Sequence, residues 1–283
     1  MILSEALQRA TLRLDAVADL RADAARDAAF LLRHVLGISY AEQLAHPTRP
    51  LTSTEAVAYE VLIQRRLTRE PIQYITGEQE FYGLALYVTP AVLIPRPETE
   101  HLVESVLAEL DPARAIRILD IGTGSGAIAI ALAHHLAQAH ITAIDLSPSA
   151  LAVAAANATR NGLSDRIQFV QSDLLTALSL NEPPVDVIVS NPPYVPESDR
   201  ATLHPQVRDH EPASALFAGA DGQDIYRRLI PQARTALAAG GLLALEIGQG
   251  QRNPIAALLA DWTQVRFVDD LQHIPRAVLA RKP

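Results

Sequence analysis

The stretch that decides how this chain is read is Val185-Asp186-Val187-Ile188-Val189-Ser190-Asn191-Pro192-Pro193-Tyr194-Val195. Its β-branched run predicts a strand of a parallel sheet covered on both faces. The two prolines end the ladder, because neither carries an N–H to donate. What remains is a stiff, extended backbone at the carboxyl end of a strand, with carbonyls that few local donors can consume. Asn191 adds a side-chain amide and Tyr194 a flat ring with a polar tip. Such a corner suits a small planar group that carries N–H donors.

Outward from that corner, strands and helices alternate. Ile116–Ile121, Ile141–Ile144, Ile167–Val170 and Leu242–Ile247 read as further strands. Ala127–Ala137, a segment opened by Ser147-Pro148, and Asp224–Leu237 read as helices, with Ser147 as N-cap and Pro148 in the first turn. Val265–Val268 and Ala277–Ala280 close the chain as an antiparallel pair. This alternation predicts an α/β fold, a doubly wound and mostly parallel sheet. In the order 3-2-1-4-5 the first and fourth strands are neighbours at the reversal point, and ligands bind beyond their carboxyl ends.

The first strand runs into Asp120-Ile121-Gly122-Thr123-Gly124-Ser125-Gly126, which opens a helix. Glycines let the backbone approach a ligand closely, and the helix N-terminus offers free N–H groups. The spacing is not the dinucleotide fingerprint, since the third glycine comes one residue too early. Asp145 ends the next strand, where a carboxylate can accept both ribose hydroxyls of a nucleoside or simply neighbour the cap at Ser147. Asp173, after the third strand, is placed to accept from an exocyclic adenine amino group, and Leu174 to cover the base. The glycine loop and Asn191–Tyr194 should face each other across one crevice.

Residues 1–73 read as helices. Ser4 is the expected cap of the first, with Ala6, Leu7, Ala10 and Leu14 on one face. A second spans about Asp23–Leu36 and stops at Gly37. A third opens on the capping box Thr52-Ser53-Thr54-Glu55 and carries Val57, Val61 and Leu62. From the residues alone, this bundle is equally a stabiliser of the chain or a docking domain. Residues 74–94 read as a hairpin linker, with strand formers around Gly83, and residues 95–283 as the catalytic domain.

Composition bounds the function. Of 283 residues 49% are apolar, and none is cysteine, which excludes disulfides and thiolate metal sites and fits a reducing compartment. Met1-Ile2-Leu3 runs straight into an amphipathic pattern, and no apolar run approaches the ~18 residues of a membrane span, so a cytoplasmic protein with no membrane association is expected. Nine arginines balance nine acidic residues over 1–75, which leaves the whole net charge of −8 on the catalytic part. An acidic catalytic part argues against extensive phosphate contact and sequence-specific nucleic-acid binding. His204 and His210 lie in one loop without a convincing third ligand, so no metal site is expected.

Taken together, the glycine loop, Asp145 and the Asn-Pro-Pro-Tyr corner resemble the Rossmann-like class I methyltransferases that use S-adenosylmethionine. The corner narrows the resemblance to those that methylate planar nitrogen. Pro95-Arg96-Pro97-Glu98-Thr99-Glu100, Gly77–Gly83, Glu211–Leu216, Asp221-Gly222 and Ile274-Pro275-Arg276 resemble the release factor glutamine methyltransferases, over nearly the whole chain. The chain departs from that pattern at Leu174, where some members have an aromatic, and at His273, where a glycine is common.

The resemblance implies methyl transfer from S-adenosylmethionine, with S-adenosylhomocysteine as product and no metal, to the glutamine of the Gly-Gly-Gln loop of a peptide chain release factor. Cofactor contacts then fall to Gly122, Thr123, Gly124, Ser125, Gly126, Asp145, Asp173, Leu174 and Asn191. The Asn191 side-chain oxygen and the Pro192 carbonyl would accept from the substrate amide. Pro193 and Tyr194 would pack on it, and Phe81 from the hairpin would close the other side, although the hairpin's own residues read Phe81 as core packing. The rival readings are glutamine methylation of a ribosomal protein, adenine methylation of nucleic acid, and a non-catalytic nucleoside-binding adaptor.

Overall fold

A computed structural model describes residues 1–178, 183–270 and 272–283. The chain divides into two compact units, Met1–Gly77 with Leu203–His210, and Glu78–Thr202 with Glu211–Pro283.

The first unit is helical: α1 (Leu3–Asp15), α2 (Ala24–Leu36), α3 (Tyr40–Ala45), α4 (Ser53–Leu67) and α5 (Ile72–Thr76). Leu3, Ala6, Ala10 and Leu14 of α1 pack with Ala24, Ala28, Leu31 and Leu32 of α2 in one core. The cap of α1 is Ile2, not Ser4, because the Ile2 N–H donates to the Glu5 carboxylate at 3.0 Å and starts the helix earlier. α2 ends as expected at Gly37, whose φ of 61° is left-handed. α4 carries the expected capping box between Thr52 and Glu55. Its inner face differs from expectation: Tyr59, Ile63 and Arg66 are buried, while Val57 and Val61 are 64% and 53% exposed. Polar partners decide this rotation. The Tyr59 hydroxyl donates to the Ala28 carbonyl at 2.9 Å, and Arg66 pairs with Asp27 at 2.7 Å, both ions buried.

The second unit opens with a hairpin, β1 (Glu78–Phe81) and β2 (Leu84–Tyr87). Tyr82 and Gly83 at its tip have φ of 53° and 75°, the pair of positive values that a two-residue I′ turn requires. After α6 (Pro97–Leu107) come β3 (Ile116–Ile121), α7 (Ala127–His135), β4 (Ala139–Asp145), α8 (Pro148–Arg160), β5 (Ile167–Gln171) and β6 (Val185–Ser190). The short α9 (Pro205–His210) belongs to the first unit. Then follow α10 (Asp224–Ala236), β7 (Leu237–Glu246), α11 (Arg252–Leu258), β8 (Thr263–Asp269) and β9 (Pro275–Arg281).

The sheet order is β5-β4-β3-β6-β7-β9-β8. The five strands from β5 to β7 are parallel, and β9 joins β7 antiparallel and pairs with β8. β3 and β6 are therefore adjacent at the reversal, Ile121 opposite Ser190. Both faces of the sheet are covered. Ile118, Val187 and Val189 join one core cluster, and Leu119, Ile121 and Ile188 the other. α7 is buried on every side from Ala127 to Ala133, which accounts for its having no polar face. The departure at His273 is absorbed by its own backbone: φ is 60°, the value a glycine would supply, and Asp270 Oδ1 holds the turn by accepting from the N–H groups of Gln272 and Ile274. Among the described residues no helix is long and apolar enough to cross a membrane.

Candidate active site

At the carboxyl ends of β3, β4 and β6 lies a cavity of about 230 Å³. Gly122, Thr123, Gly124, Ser125, Asp145, Asp173, Leu174, Asn191, Pro192 and Pro193 all line it, so most of the residues singled out in the sequence meet in one place. Two strand ends are tied together beneath it, because the Ser190 hydroxyl donates to the Ile121 carbonyl at 2.6 Å.

On the glycine-loop side, the N–H groups of Gly122 and Thr123 both donate to the Ile144 carbonyl, which pins the loop to the end of β4. Gly126 does not line the cavity but sets helix packing: a Cβ there would sit 3.1 Å from Ala154 Cβ and from Ile130 Cδ1. Asp145 neighbours the cap at Ser147 and also lines the cavity. Its Oδ2 accepts from Gly124 N and its Oδ1 from Ser147 N, each at 2.9 Å, while the residue lines the cavity. Each carboxylate oxygen has a second lone pair, so two ribose hydroxyls can still be accepted. Below the loop, Asp120 is wholly buried, takes the Thr123 hydroxyl at 2.6 Å, and leaves Oδ1 without a partner; burial raises its carboxyl to about 7. Asp173, also in the lining, pairs with Arg228 at 2.6 Å. Leu174 is held at φ 52°, a conformation that costs a non-glycine residue energy and is typical of functional corners.

On the Asn-Pro-Pro-Tyr side, the loop is fixed from several directions. Val195 N donates to Leu216 O at 2.8 Å and Ala218 N to Val195 O at 3.0 Å. The Gln251 amide donates to Tyr194 O at 3.0 Å and to Gly222 O at 3.3 Å. Residue 222 must be glycine, since a Cβ would run into the Tyr194 carbonyl oxygen. The Asn191 amide nitrogen donates to Thr99 Oγ1 at 3.0 Å, and the Thr99 hydroxyl donates to Glu246 Oε2 at 2.6 Å. Glu246 is buried, and burial raises its carboxyl to about 7. Burial also raises the Tyr194 phenol, which stands 3.4 Å from Glu246 Oε1.

Two of the expected residues stand outside the lining. Phe81 does not wall the cavity: it is 1% exposed and packs in the core with Leu86, Leu102 and Val103, because the hairpin turns its apolar face inward. Tyr194 also stands behind the lining, its hydroxyl directed to Glu246. Ala91–Leu93, Pro95, Arg96 and Thr99 line the cavity as well, and of these Thr99 bonds Asn191. Arg96 is held by Glu211, whose carboxylate takes the guanidinium at 2.5 Å and the Ile94 N–H at 3.2 Å. The signal for this part of the lining was the Pro95–Glu100 segment itself.

The comparisons with known proteins agree with this architecture. Residues 5–77 match the PrmC N-terminal domain model and residues 99–207 the methyltransferase small domain model. The chain is 48% identical to a release factor glutamine methyltransferase of Koribacter versatilis, over 90% of each chain. It is 45% identical to one from Bradyrhizobium diazoefficiens, over 92% of this chain and 89% of the relative. Among solved structures, a 16S rRNA methyltransferase of T. Thermophilus, in complex with AdoMet and guanosine, superposes with a TM-score of 0.55 at 20% identity, covering 73% of this chain and 50% of that one. A methyltransferase from Pyrococcus furiosus gives 0.53 at 19%, covering 71% and 90%. At those identities the structural likeness speaks for the fold. With its sheet, its helical unit and relatives matched over most of their length, the chain belongs to the release factor glutamine methyltransferase family.

Proposed function

We propose that this protein methylates the side-chain amide nitrogen of the glutamine in the Gly-Gly-Gln loop of a peptide chain release factor, with S-adenosylmethionine as donor. The observation that carries the reading is the placement of Asn191 and Pro192 opposite the Gly122–Ser125 loop in one cavity, in a chain whose relatives bear that name.

The donor fits the residues present. Asp145 retains lone pairs that a ribose could use, Asp173 and Leu174 line the same cavity, and the glycine loop meets the N-terminus of α7. When bound, S-adenosylmethionine supplies an electrophilic methyl carbon on a sulfonium.

An amide nitrogen is a poor nucleophile, because its lone pair is delocalised into the carbonyl. Asn191 Oδ1 and the Pro192 carbonyl each accept one of its N–H bonds, fix its direction and favour the charge that develops on it. A donor held by Gly122–Ser125 and Asp145 would supply the methyl, its sulfur keeping the bonding pair, while Asn191 and Pro192 hold the accepting nitrogen toward it. The proton leaves the nitrogen afterwards, when that nitrogen is acidic, so no strong base is needed. Pro193 and the Ala91–Leu93 wall keep water from the site.

The helical unit is proposed to dock the release factor. It exposes Leu12, Val57 and Val61 on α1 and α4, and Tyr40 and Leu44 on α3. The test is transfer of labelled methyl to purified release factor, to its loop Gln→Ala variant, to a ribosomal protein and to duplex DNA.

A further inference from the structure

Asn191 can accept from a substrate amide only if its own amide is held one way round. Oδ1 must face the cavity and Nδ2 must face away. The two ends of a carboxamide are nearly the same size, so shape alone does not choose between them. A hydrogen-bond partner that can only accept, or only donate, does choose.

Such a partner stands at the end of the chain Asn191–Thr99–Glu246. An ionised carboxylate accepts and never donates. The Thr99 hydroxyl has one proton, and it is given to Glu246 Oε2 at 2.6 Å. Thr99 Oγ1 is then left as an acceptor toward Asn191, and Nδ2 occupies it at 3.0 Å. Oδ1 is what remains for the cavity. Three segments supply this relay: the first turn of α6, the end of β7 and the loop after β6.

Burial makes the arrangement costly and therefore informative. Glu246 is 3% exposed, Thr99 4%, and among the described residues no ion pair includes Glu246. A glutamine or methionine there would spare the fold a buried charge. We propose that Glu246, acting through Thr99, sets the direction of the Asn191 amide, so that both are positioning residues for methyl transfer. The proposal rests on the amide-methylating reading of the site for its consequence, but its geometry can be tested without activity.

The experiment uses the full chain as wild type, Thr99→Val, Thr99→Ser and Glu246→Gln. Valine keeps the shape and removes the hydroxyl, whereas serine keeps the hydroxyl. With release factor as acceptor, Thr99→Val should lose about 10- to 100-fold in kcat, the scale of one mispositioned transition-state contact. Thr99→Ser should stay within about threefold of wild type, with donor affinity unchanged in both. Glu246→Gln, which can donate as well as accept, should fall between them. Equal losses in Thr99→Val and Thr99→Ser, or none in either, would overturn the proposal.

The second readout is the 15N–1H signal of the Asn191 side-chain amide, assigned by its absence in Asn191→Asp. One of its protons should be protected from solvent exchange in wild type and Thr99→Ser, and unprotected in Thr99→Val. Protection that survives Thr99→Val, or is missing in wild type, overturns the relay whatever the activity. A wild type that methylates no release factor defeats the proposed function instead, and leaves the amide signal to decide the relay.

Discussion

Thr99 and Glu246 lie 147 positions apart in sequence and are joined by a buried 2.6 Å hydrogen bond. That bond connects the start of α6, in the Pro-Arg-Pro segment, to the end of β7, and through Thr99 it reaches the amide of Asn191. The segment that carries much of the family resemblance is thus also the support of the Asn-Pro-Pro-Tyr corner.

Asn191→Ala should abolish most turnover while leaving donor binding nearly intact. On the proposed reading the side chain acts on the substrate amide, whereas the donor would be held from the glycine loop and Asp145, which line the same cavity. A loss of about 10²-fold or more in kcat is expected, with donor dissociation measured by calorimetry unchanged within about threefold. Near-normal turnover would remove Asn191 from the mechanism.

The rate should depend on the ionisation of Glu246. Burial lifts its carboxyl to about 7, Glu98 on α6 adds to the rise, and Arg276 on β9 with the Thr99 and Tyr194 hydroxyls opposes it. The Tyr226 hydroxyl of α10 bonds its backbone carbonyl, not its carboxylate. Because the ionised form fixes the relay, kcat should climb with pH through about 7. In Glu246→Gln that limb should flatten. An unchanged limb in the variant would assign the titration elsewhere.

Much of this was legible beforehand, for physical reasons. A buried parallel strand declares itself by β-branched residues, as in Val185–Val189, and a glycine loop by its place between strand and helix. The capping box at Thr52 and the stop at Gly37 were equally visible. The inner face of α4 was not. Apolar spacing alone does not reveal it: Val57 and Val61 are exposed, while the buried Asp27–Arg66 pair and the Tyr59 bond turn another face inward. Phe81 lies in the core, as its own strand pattern favours; only the family resemblance pointed it to the site. The role of Thr99 was hidden because its partners come from β7 and from the loop after β6.

Asp120 should make the protein less stable as pH rises. Its folded value of about 7 lies above the ordinary 3.8, so between those values the folded state binds the additional proton. Its contribution is full below about 4 and is lost as pH climbs to about 7, with a slope of at most about 1.4 kcal/mol per pH unit. Asp120→Asn removes that slope and gives the orphaned Oδ1 position a neutral group. Urea unfolding at several pH values should show the variant gaining on wild type toward pH 7. A constant difference between the two would refute the assignment.

In the helical unit, Asp27→Ala should cost about 3 kcal/mol, because it leaves the Arg66 guanidinium buried and unpaired. The double variant Asp27→Ala with Arg66→Met should recover part of that loss, read as a higher midpoint of chemical unfolding than Asp27→Ala alone. Additive losses would mean that the pair is not coupled.

Docking by the helical unit is tested on its exposed apolar face. Val57→Glu with Val61→Glu should raise KM for intact release factor about tenfold or more, and leave kcat and the KM for a short Gly-Gly-Gln peptide unchanged. Both positions are over half exposed, so the fold should tolerate the change. An equal effect on factor and peptide would separate the face from docking.

The most direct measurement is transfer of labelled methyl from S-adenosylmethionine to purified release factor and to its loop Gln→Ala variant, beside a ribosomal protein and duplex DNA. Label on the release factor that disappears with Gln→Ala is the result expected. Label that persists in the variant, or appears on the ribosomal protein or the DNA instead, would contradict the assignment of the acceptor.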